Sequence, residues 1–376
     1  MRVDVVALPG EGGDSPALEF AIVRVRTDDG IVGLGEASAP PSVVRAVIEA
    51  PAWGVLSHGI VDLLVGRDPR EVATLWEDLY RLTLYAGHRG AYLHAISAID
   101  IALWDILGKS TGLPVHTLLG GAFADVLPAY LTALMPSEPD AAQRVAEEAV
   151  ADGWGALKLG WLPQRDAAAD AELVMAARRG AGPDVALMID VGTSAREQHG
   201  SLRAVAPWDF RTALARIRSW DSAELSWVEE PLPADDLDGY RRLVDASETP
   251  IAAGEQETTR FGLYALMDRG GVDVVQCDVA RVGGLTEARR VVQAAADRNR
   301  RFAPHCYGSG IQLAASAHLA ASAPNLARLE YPAPVAHGPS LVHPGIEAVA
   351  GSVALPQGPG LGVELDEELL EHLRVR

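Results

Sequence analysis

The chain has 376 residues, 48% of them hydrophobic, and a formal charge of −19. That length can bury a large core and hold more than one compact unit. So acidic a chain has no basic stripe for nucleic acid or an anionic membrane surface, and an anionic ligand would depend on a few local cations.

No apolar run reads as long enough to span a bilayer, and Met1-Arg-Val-Asp4 lacks the basic-then-apolar order of a signal peptide, which predicts a soluble, cytoplasmic protein. The two cysteines, Cys277 and Cys306, are expected to be reduced packing residues.

Residues 1–121 have the pattern of an α+β domain. Ala21 to Arg26 alternates apolar and polar residues, and Asp28-Asp29-Gly30 turns it into Ile31-Val-Gly-Leu-Gly-Glu36, which predicts an antiparallel hairpin. Apolar residues at three- and four-residue spacing predict helices over Val72 to Leu84 and Ala91 to Leu107, the second ending at Gly108-Lys-Ser-Thr-Gly112. Ser38 to Gly54, rich in Pro, Ala and Ser, is predicted to be a mobile loop.

From 122 to 350 strand and helix alternate. Strand-like runs occur at Leu127 to Leu134, Gly155 to Gly160, Val185 to Asp190, Leu225 to Glu229, Pro250 to Glu255, Asp273 to Asp278, Arg301 to Cys306 and Ala327 to Tyr331. Helical patterns lie between them: Pro139 to Asp152, Ala168 to Arg179, Pro207 to Trp220, Asp236 to Ala246, Thr259 to Arg269, Gly284 to Arg298 and Ile311 to Ser322. Eight strands with seven helices predict the α/β class, as a modified TIM barrel, (β/α)7β, capped by the first domain. Residues 351–376 hold a Gly/Pro-rich run and a short helix, and are expected to return to the cap.

A barrel carries its chemistry at the C-terminal ends of its strands. Read in order, the ends from the second strand onward carry Lys158, Asp190, Glu229, Glu255, Asp278, His305 and Glu330. Asp190, Glu229 and Glu255 close three consecutive apolar runs. Three converging carboxylates repel one another unless a hard, oxygen-preferring dication lies between them, which points to Mg2+. In Glu229-Glu230-Pro231, strand alternation sends one of the two acids into the mouth.

These residues carry a resemblance. Ala98-Ile-Asp-Ile-Ala-Leu-Trp-Asp105, Leu118-Leu-Gly-Gly121, Val228-Glu-Glu-Pro231, Gly254-Glu255, Asp278-Val-Ala-Arg-Val-Gly-Gly284, Pro304-His305 and Pro359-Gly-Leu-Gly-Val363, in that order, resemble the enolase superfamily in its mandelate-racemase-like subgroup. The resemblance implies removal of a proton from the carbon beside a carboxylate, with Mg2+ stabilising the enediolate as it forms. It makes Asp190, Glu229 and Glu255 the metal ligands and leaves Glu230 outside the set. His305 and Asp278 become an acid-base dyad, and Glu330 a protonated group hydrogen-bonded to the substrate carboxylate.

Many relatives carry Lys-x-Lys on the second strand, the second lysine being a base on the opposite face of the substrate. Here the run is Lys158-Leu159-Gly160, so that base is missing, which disfavours simple racemisation; Lys158 could contact the carboxylate or, with a depressed pKa, act as a base. The cap regions Glu36 to Val44 and Ala52 to His58 resemble loops that close over substrate. Trp53, His58, His88, Arg89, Trp161 and Tyr307 are candidate lining residues, with His58, Arg89, Trp161 and Tyr307 the substrate-binding set. The expected activity is that of a lyase: dehydration of an acid sugar, a small-molecule carboxylate, to a 2-keto-3-deoxy acid. An isomerase (an epimerase, racemase or lactone cycloisomerase) is the rival, a non-catalytic homologue a third reading, and the family implies a homo-oligomer.

Overall fold

A computed structural model describes residues 1–8, 20–163, 166–192, 197–198, 201–204, 208–332 and 341–374. The cap begins with a three-stranded antiparallel sheet, Arg2–Leu8, Phe20–Arg26 and Val32–Ala37. Its first strand, charged at alternate positions, adds an edge to the expected hairpin. The 21-residue helix Ala91–Thr111 lies on this sheet, and the backbones meet closely: a side chain at Gly33 or Gly35 would strike the carbonyls of Ala102 and Ala98. This helix corrects one expectation, being long and apolar enough to cross a membrane, yet 83% of its apolar window is buried inside the protein. Asp100 and Asp105, both buried on it, fit a core helix whose polar groups find partners inside the protein.

The segment expected to be a mobile loop contains the helix Pro41–Glu49. Pro41 starts it without needing an N–H partner, and Val44 and Ile48, four apart, bury on the cap core.

The eight barrel strands are Val126–Leu134, Ala156–Gly160, Ala186–Asp190, Trp227–Glu229, Ile251–Ala253, Val274–Val275, Arg301–Phe302 and Leu329–Pro332. Parallel pairing runs through the first seven in order, the eighth pairs with the first, and a bridge between Phe302 and Leu326 completes the ring. Tyr130, Met188, Trp227, Ala252 and Val274 fill the interior, so the barrel is a packed core whose chemistry is confined to its mouth. Helices between the strands follow the sequence pattern to within a few residues; Pro207, from which one pattern starts, lies outside the described residues, and that helix is Phe210–Arg218.

Polar contacts fix cap to barrel. Trp76 Nε1 donates to the Gly283 carbonyl at 2.6 Å, Trp104 Nε1 to Thr286 Oγ1 at 2.9 Å, and Thr286 donates through both N and Oγ1 to Asp100. The last segment pairs Ser352–Ala354 antiparallel with the first barrel strand, then runs to the cap, where Leu361 N donates to Asp105 and Arg24 pairs with Glu367.

Candidate active site

Strand register places the chemistry. Lys158 sits beside Thr132 on the second strand, Asp190 and Glu229 are direct partners on the third and fourth, and Asp278 bridges to His305.

Lys158 is buried, with Nζ 2.6 Å from Glu229 Oε1 and 2.8 Å from Glu330 Oε1. Burial opposes its charge, but Glu229 and Glu330 hold its pKa well above the ordinary lysine value. Two ion pairs hold it as a cation, which suits the first of its two expected roles, contact with a carboxylate. Glu330 shares this network. Its burial favours the protonated form, yet Lys158 and then His305 outweigh burial and lower its pKa, while Thr132 Oγ1 (2.5 Å) and the Cys306 amide (2.8 Å) donate to it. Lys158, Thr132 and the Cys306 amide thus all turn donors toward it.

Glu229 is held on all sides: Lys158 takes Oε1, and Gln276 Nε2 (2.6 Å) and Trp227 Nε1 (3.3 Å) donate to Oε2. Glu255 Oε2 lies 3.1 Å from His305 Nε2. With these two acids turned toward cations, no three His, Cys, Asp or Glu side chains among the described residues are grouped to hold a metal ion. The expected trio around one ion is therefore not formed in this arrangement of side chains. Its donor chemistry still fits a hard dication: three carboxylates sit at the ends of consecutive strands, and burial followed by the repulsion of Glu229 pushes Asp190 well above the ordinary carboxylate range. Only one oxygen of each of these two acids faces its basic partner, Glu229 Oε1 on Lys158 and Glu255 Oε2 on His305.

His305 Nδ1 lies 2.7 Å from Asp278 Oδ2, and the other Asp278 oxygen accepts from Gln312 Nε2 (2.8 Å) and the Ala280 amide (2.6 Å). Asp278 is thereby fixed on both oxygens, and it fixes the imidazole in turn. Burial disfavours a charged ring, but Glu255, Glu330 and Asp278 together push the His305 pKa up to about 10. The ring lies between two carboxylates, Asp278 at Nδ1 and Glu255 at Nε2.

These groups face a cavity of about 480 Å³ between the barrel mouth and the cap. Lys158, Asp190, Glu255, His305 and Glu330 line it, as do Trp161 and Tyr307. Asp278 and Glu229 lie behind this lining. Arg89, His58, His88 and Trp53 are exposed and outside it, which corrects their assignment to the pocket; Trp53 instead faces Tyr85 on the cap surface. Sequence reasoning gave no role to Thr132, Arg281 or Gln312, and placed Glu36 only at the start of a cap loop. Glu36 had a usable signal, since it closes an apolar run as the barrel acids do; Gln312, in an apolar helix, had none.

Comparison with known proteins agrees with this geometry. Residues 15–120 match the mandelate racemase / muconate lactonizing enzyme N-terminal domain, and residues 141–369 the enolase C-terminal domain-like model. The chain is 33% identical to a D-galactarolactone cycloisomerase of Agrobacterium fabrum and 34% identical to a D-galactonate dehydratase of Xanthomonas axonopodis pv. citri, in both cases over 94% of this chain and 91% of the relative. Among solved structures, the 3,6-anhydro-D-galactonate cycloisomerase of Zobellia galactanivorans superposes with a TM-score of 0.86 at 29% identity, covering 99% of this chain and 98% of the other. A racemase of Streptomyces coelicolor A3(2) with bound magnesium superposes at 0.84 and 26% identity, with the same coverage. The chain belongs to the mandelate racemase / muconate lactonizing enzyme family of the enolase superfamily.

Proposed function

We propose that this protein removes the α-proton of an acid-sugar carboxylate with the His305–Asp278 dyad and completes a dehydration to the 2-keto-3-deoxy acid. The observation that carries the reading is His305, fixed by Asp278 on one nitrogen and directing the other into a cavity that also holds Lys158, Asp190 and Glu255. Asp190, Glu229 and Glu255 would hold a Mg2+ ion that, when bound, neutralises the charge developing on the substrate carboxylate.

The chain's own groups divide the remaining work. Lys158, a fixed cation, attracts the substrate carboxylate to the floor of the cavity. His305 Nε2 takes the α-proton in its neutral form and returns a proton to the departing β-hydroxyl, so the α-hydrogen and the hydroxyl leave as water and the enol product tautomerises to the 2-keto acid. Gly160 offers no second base beside Asp190, which suits a reaction run from one face. The cap residues Ser38, Ala39 and Pro40 cover the cavity and limit its water.

Cycloisomerisation of a sugar lactone is the second reading, favoured by the two cycloisomerases among the similar proteins. It needs the same single acid-base group. Incubation of hexonic acids, hexaric acids and their lactones with the enzyme and Mg2+ decides between them: a 2-keto-3-deoxy product supports dehydration, and an isomeric product formed without loss of water supports cycloisomerisation. No reaction with any of them would overturn both.

A further inference from the structure

We infer that Arg281 forms an anion subsite for a second carboxylate, which makes the preferred substrate a sugar diacid or a lactone that keeps a free carboxylate. The inference rests on the reading of the cavity as an acid-sugar site and narrows its substrate class.

Three basic side chains line the cavity, and two of them already sit beside carboxylates. Lys158 is paired with Glu229 and Glu330, and His305 with Glu255 and Asp278. Arg281 has no carboxylate within ion-pair distance among the described residues, and its buried Nε has no hydrogen-bond partner. In a chain of net charge −19, an arginine left facing a cavity without an acid is a position from which an anion can be held. His94, close enough to feel its charge, does not compete for that anion. His94 on the long cap helix is 8% exposed, its Nδ1 also lacks a partner, and burial together with Arg281 keeps the ring neutral.

Position supplies the second argument. Lys158 is on the second barrel strand, and Arg281 lies in the loop after the sixth, the strand opposite it in a ring of eight. A ligand whose reacting carboxylate lies toward Lys158 and Asp190 therefore extends its far end toward Arg281. The cap closes over that end, since Ser38 N donates to the carbonyl of Ala280 at 3.2 Å, next to the arginine. Arg281 would thus act on the non-reacting end of the substrate and set specificity.

The test compares hexaric acids with hexonic acids of matched stereochemistry, by calorimetric binding and by kcat/KM, in the Mg2+-loaded protein and in Arg281→Gln and Arg281→Lys. The expected result is at least tenfold tighter binding of the best diacid than of its monoacid. Arg281→Gln should shrink that ratio at least tenfold, chiefly through KM, and Arg281→Lys should restore part of it. Equal binding of the two classes by the unsubstituted protein, or a ratio unchanged in Arg281→Gln, overturns the subsite. Diacid-selective binding with no α-proton exchange in any acid would uphold the subsite and refute the enolising chemistry, whereas exchange without diacid preference would do the reverse.

Discussion

Lys158 Nζ lies 2.6 Å from Glu229 Oε1 in the buried floor of the mouth, so a lysine and an expected metal ligand share one ion pair. Removing one partner of such a pair leaves an uncompensated buried charge, at about 3–5 kcal/mol. Lys158→Met is therefore expected to unfold at lower urea concentration than the unsubstituted protein when both are kept in chelator. Added Mg2+ should recover most of the difference, because a dication gives Glu229 another partner.

Asp190 is the one ligand candidate of the three that no cation holds at ion-pair distance among the described residues, and burial with Glu229 keeps its pKa high. A ligand that binds only the folded state stabilises it by about 2.7 kcal/mol at a hundred times its Kd. Thermal melts at rising Mg2+ should thus climb for the unsubstituted protein and stay flat for Asp190→Asn. Parallel curves would remove Asp190 from the metal site.

Glu36 links cap and barrel: it accepts from the Ser309 amide (2.9 Å) and hydroxyl (2.5 Å) and from the Gln312 amide (3.2 Å), at the start of a barrel helix. Burial pushes its carboxyl up to about 7 from an ordinary 4.5. An acid with a raised folded-state pKa contributes stability that is complete below about pH 4.5 and is lost as pH rises through about 7. Glu36→Gln should remove up to about 3 kcal/mol of that slope between pH 4.5 and 7.5. Asp100, also pushed up to about 7 by burial, keeps part of the slope in the variant. Denaturant titrations at several pH values give the comparison.

Asp278 positions His305 and is itself held by Gln312. General acid-base catalysis contributes about 10² to 10⁴ in rate. Asp278→Asn is expected to lower kcat within that range while KM moves severalfold at most. A loss seen mainly in KM would give Asp278 a binding role instead.

The fold was legible because its signals are periodic and local. Strand ends that close on Asp190, Glu229, Glu255, Asp278, His305 and Glu330 announce a barrel mouth before any contact is known. What sequence missed depends on where side chains turn in space. Spacing could not tell that Lys158 would pair with Glu229 and Glu330 and stay charged, or that Arg89 and His58 would remain on the surface. The first cap strand escaped notice because charges at Arg2 and Asp4 broke its apolar character. Pro41 to Glu49 was mistaken for a loop because its helix has only nine residues and begins with proline.

The most direct measurement of the central claim is exchange of the substrate α-proton in deuterated water. The assay uses the sugar acids with Mg2+, the unsubstituted protein and His305→Asn. The account predicts deuterium at the α-carbon or in the 2-keto product with the unsubstituted protein, dependent on Mg2+ and lost by at least a hundredfold in the variant. Equal deuterium incorporation by the two proteins would contradict it.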